Sequence, residues 1–154
     1  MGDRAPNVQL LLTGNEIMSG DTLDSNSALI ARRLAALTLP VARKVAVGDD
    51  FALLQRELTA MTREADVVIV NGGLGPTVDD LTAEVLAAVA GVPVKEHPLA
   101  MEHLERWCAR RNLPVNPANR KQARLPDGAT IVPNRTGSAV GLSLIHISEP
   151  TRRH

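Results

Sequence analysis

Tyrosine is absent from the 154-residue chain, and phenylalanine, tryptophan and cysteine occur once each. Without spaced aromatic rings there is no platform on which successive bases of a single nucleic-acid strand could stack. The lone thiol, Cys108, cannot close an internal disulfide and joins no Cys/His cluster of the kind that holds zinc. That usage fits a reducing, cytoplasmic setting. Seventeen Lys and Arg balance seventeen Asp and Glu, so no global field draws nucleic acid or an anionic membrane, and any anionic ligand must be held locally. No apolar run approaches the roughly 20 residues of a membrane-spanning helix, and MGDRAPNVQLLLTGNE carries too short an apolar stretch for a secretory leader. What is present is 44% hydrophobic residues, enough for the core of one domain at this length.

Three times an apolar run breaks into a loop rich in glycine and acid and then into a helical pattern. Residues 8–12 read as a buried strand ending at Thr13-Gly14, followed by a loop with Asn15, Glu16, Ser19, Gly20 and Asp21. A helix follows from about Asp24, with Ser25, Asn26 and Ser27 as candidate caps and Leu29, Ile30, Leu34 and Leu37 as its apolar face. Residues 41–47 alternate as a strand, and Gly48-Asp49-Asp50 opens a helix carrying Leu54, Leu58 and Met61. The β-branched run 66–70, DVVIV, is expected to be a central strand buried on both faces. Residues 77–90 are expected to be helical from Thr77 onward, because Thr77 and Asp80 have the spacing of a capping box and Leu81, Val85, Leu86 and Val89 form a stripe. Such units predict an α/β fold, a doubly wound, mainly parallel sheet with helices on both faces. Ligands of such sheets bind beyond the carboxyl ends of the strands, where loops 14–24, 48–50 and 71–80 all fall. Residues 98–111 form a further amphipathic helix with Leu99, Leu104, Trp107 and Cys108 near one face. NPANRKQARLPDGA holds a short helix, and 129–132 a strand.

The stretch GGLGPTVDDLT, residues 72–82, begins as a phosphate loop and ends in adjacent carboxylates. It lacks the Lys-Ser/Thr pair of a P-loop and the third glycine of a dinucleotide-binding fingerprint. Gly72, Gly73 and Gly75 still permit close backbone approach, and a helix starting at Pro76-Thr77 would aim free N–H groups at an anion. A plain strand-to-helix turn, with Asp79 and Asp80 favouring the helix dipole, is the competing reading. Two carboxylates beside a phosphate repel it unless a cation lies between, and Mg²⁺ is commonly held by one or two carboxylates plus substrate phosphates. Asp49 is the better functional candidate at the second strand end, since Asp50 suits an N-cap. Cys108, His97 and His103 read as structural, His97 as a helix-start residue.

GGLGPTVDDLT, together with TGNEIMSGDTLDSN, VGDD at 47–50, and NRKQARLPDGA followed by GSAVG, resembles the N-terminal domain of the competence/damage-inducible protein A (CinA) family. That domain is itself similar to the MoaB/Mog, or molybdopterin-binding, domain, and the motifs run in the family's order across residues 7–141. The resemblance implies that Asp80 matches the essential aspartate of the family's glycine loop and Asp49 a second functional aspartate, both catalytic. Gly72, Gly73, Gly75 and Thr77 would cradle the phosphate. Glu16, Asp24 and Asn26 fall on the first family loop, and Lys121 and Gln122 would approach the ligand phosphate. Asp80 with Asp79 would hold a divalent metal, Mg²⁺ or similar. The implied activity is metal-dependent hydrolysis of ADP-ribose-like pyrophosphates. The alternative is a molybdopterin-binding or adenylyl-transfer module of molybdenum cofactor biosynthesis, and a third reading is an assembly platform. The resemblance further implies a homo-oligomer with a small nucleotide or pterin phosphate as ligand, acting on neither nucleic acid nor membrane. Full-length members commonly add a C-terminal domain that deamidates nicotinamide mononucleotide, and none of its sequence is expected here. The family's G-[ST]-A-P-G reads Gly137-Ser138-Ala139-Val140-Gly141 in this chain. Residues 142–152, LSLIHISEPTR, resemble the translation of a transposase-type sequencing adapter, so 142–154 are expected to be a non-native tail and His146 and His154 are set aside as ligands.

Overall fold

The computed structural model describes Gly2 and residues 4–145. Most of the segment read as an adapter-encoded tail, residues 146–154, lies outside the described residues. Strands β1 (Val8–Thr13), β2 (Val41–Val47) and β3 (Val67–Asn71) form a parallel sheet in the order β2-β1-β3. The chain leaves β1 through α1 (Asn15–Ser19) and α2 (Ser25–Ala36) to reach β2 on one side. It then returns through α3 (Phe51–Glu64) to β3 on the other side. Right-handed crossovers toward opposite edges put α2 and α3 on opposite faces, which is the doubly wound arrangement expected.

Helix α3 starts where Asp50 accepts a hydrogen bond from the Leu53 amide at 2.9 Å. Its Leu54, Leu58 and Met61 pack with Leu11 and Val47 of the sheet and Val85 of α4 (Thr82–Ala90). Each such leucine stabilises the fold by about 1.5–3 kcal/mol through burial. Beyond α4 come β4 (Val94–Glu96), α5 (Pro98–Ala109), α6 (Pro117–Lys121), β5 (Arg124–Pro126), β6 (Thr130–Val132) and β7 (Gly141–Ser143). The last four strands make two antiparallel pairs, β4 with β5 and β6 with β7. A second core gathers Ala100, Leu104 and Cys108 of α5 with Ala123, Leu125, Ala129 and Val140. Among the described residues no helix is long and apolar enough to cross a membrane.

Several expectations are corrected. The central strand is β1, buried along its whole length, whereas β3 is an edge strand whose first residue, Val67, is exposed. Apolar content misled here: β3 is half-covered by the side chains packed on its faces, while β1 gains its burial from neighbours on both edges despite containing Gln9 and Thr13. Helix α2 is capped by Asp24, whose carboxylate accepts from the Ser27 amide at 3.0 Å, and not by Ser25, Asn26 or Ser27. Its Leu29 and the following Leu37 are exposed, as is Leu99 on α5. Helix α4 begins at Thr82, five residues after the expected start at Thr77.

Candidate functional site

Thr13 ends the central strand between the loops that follow β2 and β3. Its hydroxyl donates to Asp49 Oδ1 at 3.1 Å. The Asn15 amide donates to Asp49 Oδ2 at 3.1 Å, and the Asp49 amide donates back to Asn15 Oδ1 at 2.9 Å. Asp49 thus clamps the ends of β1 and β2 together with both carboxylate oxygens engaged. On the other side, a Cβ added to Gly72 would lie 2.3 Å from the Thr13 carbonyl oxygen. Gly72 and Gly73 have φ of 114° and 73°, so the turn out of β3 needs glycine for its backbone as well as for space.

The rest of the glycine loop folds upon itself. Asp80 Oδ2 accepts from the Thr77 amide at 2.9 Å and the Thr77 hydroxyl at 2.7 Å, and the Asp80 amide donates to the Thr77 carbonyl at 3.2 Å. These bonds close a turn over residues 77–80. Thr82 then ties the start of α4 back to the strand end: its hydroxyl donates to the Gly72 carbonyl at 2.7 Å and its amide to the Gly73 carbonyl at 3.1 Å. The Thr77–Asp80 pair makes one of the two bonds of a capping box, Thr77 N–H to the Asp80 carboxylate, but the Thr77 hydroxyl donates to that carboxylate instead of accepting from the Asp80 amide; the pair closes a turn, and Thr82 fixes the helix start later. The expected anion site at a helix beginning with Thr77 is not formed. A Cβ on Gly75 would approach Asp80 Oδ2 to 2.6 Å, so this glycine makes room for the folded-back carboxylate.

The lysine that the loop lacks arrives from α6. Lys121 Nζ donates to the carbonyls of Thr77 and Asp80, bracing the turn and placing a positive charge beside it. The next residue, Gln122, is buried and donates through Nε2 to Ser138 Oγ at 2.9 Å. The loop around Ser138 is anchored in turn: His103 Nε2 donates to the Gly137 carbonyl at 2.8 Å and Asn134 Nδ2 to the Ala139 carbonyl at 2.7 Å. His97 caps α5, as expected, with Nδ1 accepting from the Leu99 amide at 3.2 Å.

The structure thus brings Gly72, Gly73, Gly75, Thr77, Asp80 and Lys121 into one cluster, with Asp49 joined to it through Thr13. Glu16 folds over its own loop, its carboxylate against Gly14. Asn26 is exposed on the first turn of α2 and makes no side-chain bond among the described residues. Asp24 nearby serves the cap. The Ser27 hydroxyl holds its carboxyl below the usual carboxylate range, helped by the Ser27 amide and by Lys44 at 3.7 Å. Thr13, Asn15, Thr82 and Ser138 carry much of the geometry; each lies within a stretch that resembles the family, but none had been given a role of its own.

The fit of a cation is conditional on the ligand. Among the described residues no group of three His, Cys, Asp or Glu could hold a metal by itself. Asp80 Oδ1 and the exposed carboxylate of Asp79 have no partner among the described residues. Together they could supply the one or two protein ligands that Mg²⁺ usually takes, with phosphates and water completing its octahedron.

The chain matches the family model described as "Probable molybdopterin binding domain" over residues 9–144. It is 54% identical over 137 residues to a CinA-like protein of Colwellia psychrerythraea. It is 42% identical over 138 residues to a putative competence-damage inducible protein of Moorella thermoacetica. These alignments take in 89% and 90% of this chain but 32% and 33% of the relatives, so the chain spans about a third of their length. The crystal structure of the protein CinA from Thermoplasma acidophilum superposes with a TM-score of 0.79 at 29% identity, over 90% of this chain and 80% of that one. The molybdopterin biosynthesis enzyme MoaB of Thermus thermophilus shares the fold, with a TM-score of 0.54 at 20% identity over 89% of this chain and 79% of that one.

Proposed function

The chain belongs to the family of probable molybdopterin-binding domains, with CinA-like proteins among its relatives, and from that premise we propose that it binds a phosphorylated nucleotide at the 72–80 loop and hydrolyses its pyrophosphate linkage with a divalent cation. ADP-ribose represents the substrate class. The observation that carries the reading is the convergence of Gly73, Gly75, Asp80 and Lys121 in one small cavity, beside the carboxyl ends of β1 and β3.

Each residue has a part set by its bonds. Lys121 holds the turn and offsets the negative charge of Asp79, Asp80 and an incoming phosphate. Asp80 spends one oxygen on Thr77 and keeps the other for a cation, with Asp79 as its companion. The cation, when bound, would polarise the phosphoryl group and lower the pKa of the attacking water. Asp49 positions Thr13 and Asn15, and through Thr13 it fixes where Gly72 and Gly73 can lie.

The test is release of AMP from ADP-ribose in the presence of Mg²⁺. AMP should form with the unaltered protein and fall at least about a hundredfold with Asp80→Asn, the scale on which loss of a charge-stabilising group acts. No AMP from the unaltered protein, or undiminished AMP from the variant, would sink the proposal. A second reading, retention of a pterin phosphate without hydrolysis, is favoured by the match over residues 9–144 to the family described as a probable molybdopterin binding domain. Pterin that stays bound through purification, with no nucleotide turnover, would establish it.

A further inference from the structure

We propose that Glu84 is the general base of the hydrolysis: its carboxylate takes a proton from the water that attacks the phosphoryl group. The inference rests on the pyrophosphatase reading above and gives a role to a residue just beyond the glycine-loop motif. Glu84 stands on the first turn of α4, half-buried, and lines a cavity of about 20 Å³ with Gly73, Gly75, Asp80, Lys121 and Arg124. One water needs roughly 10–15 Å³ and a few polar partners, so the cavity has room for a single attacking water beside the loop assigned to phosphate. An acid in a first turn commonly does no more than complement the helix dipole. Glu84 differs in sharing one small cavity with a second carboxylate, that of Asp80, an arrangement that is repulsive until a cation or a proton lies between them.

The other carboxylates around the loop are committed elsewhere. Asp49 has one oxygen on the Thr13 hydroxyl and the other on the Asn15 amide. Asp80 Oδ2 is held by Thr77, and its Oδ1 is assigned to the cation. Asp79 is exposed and does not line the cavity. Glu84 makes no side-chain hydrogen bond or ion pair among the described residues, which leaves both its oxygens able to accept a proton. Its backbone is nonetheless fixed, because Thr82 is tied to the Gly72 and Gly73 carbonyls and Val85 is fully buried in the core. A base on such a support meets the geometric demand of proton transfer without further ordering. In the step itself the water oxygen bonds to phosphorus as the bridging P–O bond breaks. The electron pair of that bond leaves on the departing phosphate, the proton passes to Glu84 and then to solvent, and the products are AMP and ribose phosphate.

The experiment follows AMP release from ADP-ribose with Mg²⁺ as a function of pH for the protein, Glu84→Gln and Glu84→Asp. Glu84→Gln should lower kcat by about a hundredfold, the lower end of what a general base contributes, with KM within about twofold. Its rate should also keep rising toward alkaline pH by about tenfold per pH unit, as hydroxide replaces the missing base, where that of the unaltered protein levels off. A residue that only steadied the helix would move stability and leave the shape of this profile alone. Glu84→Asp keeps a carboxylate at shorter reach and should retain part of the rate with the levelled profile. It carries the test should the glutamine variant unfold: a reduced kcat at unchanged KM supports the base, and an undiminished kcat overturns it. If Glu84→Gln keeps its kcat, or loses activity only through KM, the proposal falls, while the loop reading survives as long as Asp80→Asn still abolishes AMP release. If the unaltered protein releases no AMP, both readings fall together.

Discussion

Gly73 offers a test of whether the glycine loop is shaped by its own packing. A Cβ at this position would lie 2.1 Å from Thr82 Oγ1, 3.1 Å from Thr82 Cβ and 3.3 Å from Thr13 Cγ2. Thr82 cannot simply swing aside, being 3% exposed with its hydroxyl on the Gly72 carbonyl. Gly73→Ala must therefore accept a left-handed backbone, at about 1–2 kcal/mol. It must also break the Thr82–Gly72 bond and strand a carbonyl, at about 1–3 kcal/mol. The expected destabilisation is about 2–5 kcal/mol, at the upper end of single-residue effects. Thr82→Ala removes the obstructing oxygen, so in that background Gly73→Ala should cost the backbone part and a residual crowding against the Cβ of residue 82 at 3.1 Å and Thr13 Cγ2 at 3.3 Å. Urea unfolding of the four proteins closes a double-mutant cycle, and the coupling should be about 1–3 kcal/mol. Additivity within about 0.5 kcal/mol, the usual result for independent sites, would refute the assigned contact.

Two further outcomes follow from the same geometry. Lys121→Met should cost about 1–3 kcal/mol in thermal unfolding, since it removes two charge-assisted bonds from a partly buried ammonium, and should speed amide exchange at Asp80; unchanged exchange there would separate Lys121 from the turn. Asp24→Ala should cost about 1 kcal/mol through loss of the α2 cap. The Asp24 carboxyl is held below its ordinary value of 3.8 in the folded chain, so its contribution is complete above that value and is lost as pH falls through the lower folded value. The gap between the protein and Asp24→Ala should accordingly be flat from neutral pH to about pH 5 and narrow in stronger acid; a gap that widens on acidification would contradict the assignment.

Spacing along the chain made the α/β alternation legible, because Leu54, Leu58 and Met61 must share a helix face and the runs at 8–12 and 41–47 can only be strands between helices. The positions of Asp49 and of the glycine loop followed from the rule that such sheets bind at their carboxyl ends. Which strand is central was not legible, since β-branched content measures contact with the layers above and below and says nothing of neighbours along the sheet edge. The start of α4 was misread for a different reason. A threonine three residues before an acid has the same spacing in a capping box and in a closed turn, and the deciding contact, Thr82 to Gly72, spans ten residues. Lys121 reaches across 44 residues to Thr77, and Gln122 across 16 to Ser138, separations at which no local periodicity carries information.

Those long contacts explain how an acidic loop can serve an anion. A P-loop keeps its lysine on the helix that follows, where charge and backbone N–H groups face the phosphate together. Here the helix start is displaced to Thr82, and the turn over 77–80 presents carbonyls that would repel a phosphate if left bare. Lys121 covers two of them, so one side chain both cancels the unfavourable dipoles and adds a positive charge. Because Gln122 follows directly, the end of α6 sets the shape of the turn with one residue and lines the adjoining cavity with the next. A substitution that shifts α6 should consequently disturb the turn and, on the proposed reading of the loop, phosphate binding together. A change confined to Asp79, which holds no bond among the described residues, should leave the turn intact and act only where a cation is bound.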